Sequence, residues 1–118
     1  MSLVSQLAAM QGVIAAGEYS YRGDRFSYEG QLDDEKARMA SIMCRATTMA
    51  VHMQVDMIKS LGKDCGCAPA RGWVVRGTAF TVCVIANVFC FLDNSQASLN
   101  EVMRTMRENI ADQDGALV

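Results

Sequence analysis

One proline, one histidine and one tryptophan are all that the 118 residues contain of those types. With a single histidine, His52, a multi-histidine metal centre is excluded, and a Ser-His or Cys-His catalytic pair has one base and no evident partner. Positive charge is not in excess either: 11 Lys and Arg stand against 13 Asp and Glu, for a formal net charge of −2. Such a chain cannot neutralise a run of phosphates, so no nucleic acid is expected as a partner. Neither a GxxxxGKS/T nor a GxGxxG stretch occurs, which argues against nucleotide binding and leaves no cofactor to expect.

Long apolar runs are missing as well. The longest, Ala79 to Leu92, is interrupted by Asn87 and falls short of the ~20 residues a spanning helix requires, so no membrane is expected. The opening "MSLVSQLAAMQGV" has neither the charged region nor the apolar stretch of a secretory signal. A cytoplasmic location follows as the expectation, one in which the five cysteines stay reduced.

What is present is apolar residues, at 51% of the chain, and nine methionines. This is enough for one domain with one core, expected over residues 1–111, with "DQDGALV" at 112–118 as a loose tail. Leu3, Leu7 and Met10 share a face of a short helix that Ser2 can cap and Gly12 ends. "GVIAAGEYSY" and "FSYEG" read as two strands, the second alternating Phe26 and Tyr28 with Ser27 and Glu29. The "YRGDRF" between them is a hairpin turn, with Gly23 and Asp24 supplying backbone freedom. Its Arg22-Gly23-Asp24 also spells a cell-adhesion motif, but turn chemistry explains the same letters.

A long helix is predicted from Asp33 to about Leu61, stopped by Gly62. Asp33, Asp34 and Glu35 suit the positive end of its dipole. It carries two apolar stripes. Met39, Met43, Ala46, Ala50, Met53 and Met57 alternate at spacings of four and three, like the seam of paired helices. Ala40, Cys44, Thr47, Val51, Val55 and Ile58 form the second. Arg38, Ser41, Arg45, Thr48, His52, Asp56 and Lys59 make a narrow polar side. A surface helix in a small domain needs one stripe. The second must be covered either by the first and last helices of the same chain or, more economically, by a symmetric partner in a homodimer.

"GWVVRG", "AFTVCVI" and "VFCFLD" are β-branched and aromatic strands, the last two joined at Ala86-Asn87. Asp93, Asn94 and Ser95 offer caps to a closing helix, and Ser98 to Glu101 reads as a capping box. Its apolar face is Leu99, Val102, Met103, Met106 and Ile110. The expected fold class is α+β: an α-β-β-α-β-β-β-α sandwich with a five-stranded antiparallel sheet.

Leu3, Leu7, Gly12 and Val13 at the first helix-to-strand step resemble the roadblock/LC7 family. So do "GWVVRGTAFTVCVIANVFCFLD" and "LNEVMRTMREN" in the second half. The resemblance spans roughly residues 2–110 and is to a prokaryotic member. It implies a profilin-like sandwich that pairs through the central helix and third strand. Met39, Met43, Ala46, Ala50, Met53, Met57, Trp73 and Val75 would then lie in a dimer interface. It also implies a non-enzymatic platform that binds another protein, small Ras-like GTPases among them.

The stretch "GKDCGCAPARGW" is not a general feature of that family. Cys65 and Cys67, one residue apart, do not match the wider spacing of zinc-ligating pairs, and no metal is expected. With Lys63 and Arg71 flanking them they form a candidate thiol site. The alternative function is therefore a redox or sulfur-relay accessory protein, with one thiol attacking and the other resolving.

Overall fold

The computed structural model describes residues 2–61 and 72–110. Its elements are α1 (Leu3–Ala8), β1 (Val13–Tyr19), β2 (Phe26–Gly30), α2 (Asp34–Lys59), β3 (Gly72–Arg76), β4 (Phe80–Ile85), β5 (Val88–Asp93) and α3 (Leu99–Asn109). This is the order the periodicities predict. Each helix starts where a short polar side chain can take an otherwise unpaired backbone N–H. Ser2 accepts from the Ser5 N–H, Asp33 from Lys36 and Ser98 from Glu101. Asp93 does not cap α3; its carboxylate accepts from the Ser95 N–H at 2.9 Å and holds the preceding turn.

The five strands form one antiparallel sheet in the order β2-β1-β5-β4-β3. Two tight connections set its register. At one, Ile85 opposes Val88 across a two-residue turn in which Ala86 takes φ +55. At the other, Gly23 takes φ +84, and Ser20 Oγ accepts from the N–H groups of both Asp24 and Arg25 at 3.0 Å. The Arg-Gly-Asp tripeptide is therefore a turn, as its chemistry predicts. Gly12, at φ +80, makes the helix-to-strand step before β1.

Alternation along the strands divides the core in two. Cys83, Ile85, Val88, Cys90 and Leu92 pack on one side of the sheet with Leu3, Val4 and Leu7 of α1, Val102 and Met106 of α3, and Ile110 at the end of α3. Tyr19, Val84 and Phe89 pack on the other side with Ala40 and Cys44 of α2, together with the half-buried Trp73, Val82 and Phe91. Thus, among the described residues, α1 and α3 cover one face and α2 lies alone on the opposite one. No helix among the described residues is long and apolar enough to cross a membrane.

Candidate interaction surface

The second apolar stripe of α2 is the one that meets the sheet. Ala40 and Cys44 are buried, Thr47, Val51 and Val55 half-buried, and only Ile58, near the end, is exposed. The methionine stripe points the other way: Met39, Met43, Met53 and Met57 are 50% to 71% exposed, and Ala46 and Ala50 are exposed with them. The first and last helices do not cover these residues, because both sit across the sheet.

Two more apolar side chains, Ile42 and Met49, are also exposed on α2. Neither belongs to the two stripes read from the sequence. Together with Met53, Ala46, Met39, Met57, Ala50 and Met43 they make one continuous outward arc of roughly 120°, at about 100° per residue. The polar side is correspondingly narrower than the sequence pattern predicts. Ser41 is buried and donates to the Ala37 carbonyl at 2.8 Å, and Thr48 is half-buried under the sheet. Both hydroxyls can leave water because each finds a partner.

Beside the methionines, α2 and the β3 side of the sheet enclose an open groove of about 440 Å³. Met39, Met43 and Ala40 form its helical wall, and Trp73, Val75, Val82 and Phe91 its floor. Among the described residues Lys36 is its one charged lining residue. Val75 is 57% exposed, and β3 is the last strand of the sheet, with no neighbour on its outer side among the described residues. Trp73, on the same strand, is half-buried, and its Nε1–H donates to Thr48 Oγ1 at 2.8 Å. Tyr19 Oη lies 3.0 Å from that same oxygen. This three-residue contact fixes the spacing between the helix and the edge strand, and hence the width of the groove.

All eight residues singled out for pairing thus fall on one side of the molecule. Seven are open and Trp73 is half turned into the core. Cys65 and Cys67 lie outside the described residues. The other three cysteines are buried, and burial pushes the Cys44 thiol up to about 12. Cys83 and Cys90 oppose each other on β4 and β5. The hydrogen bond with Cys83, followed by burial, pushes the Cys90 thiol up. His52 is exposed on α2, whereas Cys44 is buried against the sheet. Among the described residues no group of three or more His, Cys, Asp or Glu side chains converges as a metal site would need.

The fold is that of roadblock/LC7 domains. The crystal structure of a Roadblock/LC7 domain from Streptomyces avermitilis is similar to the chain with a TM-score of 0.71, covering 98% of this chain and 94% of that one at 14% identity. In sequence, the family described as "Uncharacterized conserved protein (DUF2173)" matches residues 3–108. The chain belongs to that family. No curated protein matches the chain.

Proposed function

We propose that the chain is a non-enzymatic platform for other proteins, working in the cytoplasm as a homodimer built through α2 and β3. The observation that carries this reading is the adjacency of the methionine arc, the apolar groove and the open β3 edge on one side of the molecule. Each alone is a liability in a solitary chain. A contiguous apolar patch invites association, and an unprotected edge strand invites pairing.

A second copy answers both through one two-fold axis. Methionine packs against methionine along α2, whose 26 residues span about 39 Å at 1.5 Å per residue. At the same time, β3 meets its own equivalent, extending the sheet across the interface. Self-complementarity of this kind is what a two-fold interface requires, and flexible methionines adapt readily to such packing. The interface residues are Met39, Met43, Ala46, Ala50, Met53, Met57, Trp73 and Val75. The resemblance supports a further protein partner and implies small Ras-like GTPases as its class.

The test is the double substitution Met43→Glu with Met53→Glu, followed by light scattering on the eluting protein. Two carboxylates per chain placed in a desolvated seam cost several kcal/mol, so the variant is expected to elute as a folded monomer where the unaltered chain is a dimer. A well-folded dimer from the variant would refute the seam.

A further inference from the structure

We infer that the cleft between the β1–β2 turn and α2 is a receptor for a carboxylate-bearing segment of a partner protein, with Arg45 as its anion-binding centre. The cleft holds about 210 Å³, and its lining includes Arg25, Arg38 and Arg45, one carboxylate, Asp24, and the apolar Phe26 and Ile42. It lies on the hairpin side of α2, away from β3.

Arg45 carries the inference. It is half-buried, yet no carboxylate among the described residues lies within ion-pair distance of it. The guanidinium is nonetheless held in place. Its Nε–H donates to the Tyr21 carbonyl at 2.9 Å, and it lies so close over the turn that a Cβ on Gly23 would stand 3.1 Å from its central carbon. A cation partly withdrawn from water, oriented by one bond and lacking an anion, is a preorganised half of a bidentate pair.

The neighbours reinforce it. Arg38 is forked on Glu35 at 2.7 and 3.3 Å, and Arg22 and Arg25 both stand beside Asp24 at 3.8 and 3.9 Å. Among the described residues, then, Arg22 and Arg25 share Asp24, Arg38 has Glu35, and Arg45 has no carboxylate within ion-pair distance, in a chain whose net charge is −2.

The rim identifies the ligand further. Phe26 and Ile42 are exposed beside the arginines and complete no internal core. An arginine flanked by apolar side chains is the composition of binding hot spots. It matches an acidic residue with aliphatic or aromatic neighbours, and the volume admits one or two side chains only. The inference rests on the platform reading in taking the ligand to be part of a protein.

The test is a titration of the full chain, followed through its arginine Nε–H and isoleucine methyl NMR signals. The probes are the peptide acetyl-EELFEE-amide, the neutral acetyl-QQLFQQ-amide, and sodium phosphate. The acidic peptide is expected to shift Arg45 and Ile42 saturably. The neutral peptide, and the Arg45→Gln variant with the acidic one, are expected to bind about tenfold less tightly, the loss of one charge-assisted pair.

Because Arg45 also braces the turn, Arg38→Gln is the second variant; it touches no backbone and is expected to weaken binding as well. Arg107→Gln, across the sheet, should leave binding unchanged. Three results would overturn the inference: no saturable shift, equal binding of the two peptides, or phosphate acting as well as the acidic peptide. The Met43→Glu, Met53→Glu protein separates the two readings. If it is monomeric and still binds the acidic peptide, both stand. If the unaltered chain is a dimer that ignores the peptide, the platform stands and this site falls.

Discussion

Thr48 Oγ1 accepts the indole N–H of Trp73 at 2.8 Å, joining the middle of α2 to the edge strand β3 across 25 residues of sequence. The same oxygen lies 3.0 Å from Tyr19 Oη. One hydroxyl therefore sets the distance between the two elements proposed to meet a second copy. Thr48→Val keeps the shape and removes the oxygen, stranding the half-buried Trp73 N–H and leaving Tyr19 Oη only its longer 3.4 Å bond to the Ala86 carbonyl. It is expected to lower stability by about 1–3 kcal/mol, read as a shift in the urea midpoint. An unshifted midpoint would mean that water replaces the bond at no cost.

A second expectation concerns Glu18, the buried-side carboxylate of β1. Its Oε2 finds no hydrogen-bond partner among the described residues, and burial raises its pKa above the ordinary 4.5. A carboxyl group raised on folding favours the folded state when protonated. Its contribution is therefore complete below the unfolded value and is lost as pH rises through the folded one. Glu18→Gln is expected to be the more stable protein at about pH 7 and to lose that advantage towards about pH 4, measured by urea unfolding across the range. An unchanged difference at both ends would show that Glu18 is solvated.

The β4–β5 turn stores strain at Ala86, whose φ of +55 costs a non-glycine residue about 1–2 kcal/mol. Glycine removes that cost while giving up less than about 1 kcal/mol to the greater freedom of the unfolded chain. Ala86→Gly is therefore expected to raise the melting temperature by a few degrees, and Ala86→Val, β-branched in the same conformation, to lower it. If valine is tolerated, the turn takes another form.

Thiol accessibility makes a fourth test. Cys44, Cys83 and Cys90 are buried, and the Cys44 thiol in particular is held far from ionisation. Native protein is expected to react rapidly with Ellman's reagent at no more than two of its five thiols per chain, leaving Cys65 and Cys67 as the candidates, and at all five once unfolded. A third fast thiol would contradict the packing around α2 or between β4 and β5.

The element order was legible because every strand and helix here carries its own period, and because caps such as Ser2, Asp33 and Ser98 stand where the periods begin. The outward methionine stripe was legible for the same reason. What pattern alone misplaced were residues whose burial depends on a distant partner. Ser41 and Thr48 look polar and therefore solvated, yet one bonds a carbonyl of its own helix and the other accepts from Trp73. Ile42 and Met49 fall in neither stripe read from the sequence, yet both are exposed beside the methionines.

The arginine cleft left only a faint trace in sequence. Arg38 and Arg45 are seven apart and so share a helix face. That this face meets the "YRGDRF" turn is decided by a contact 24 residues away, between Arg45 and the Tyr21 carbonyl. Cys65 and Cys67, the most reactive-looking residues in the chain, belong to residues 62–71, outside the described structure.

Pairing through α2 and β3 is the central claim, and native mass spectrometry of the full chain, prepared without reductant at micromolar concentration, tests it most directly. The account predicts a species at twice the 12.9 kDa chain mass that dissociates when Met43 and Met53 are both replaced by glutamate. A species at the single chain mass, stable and folded over the same concentrations, would contradict it.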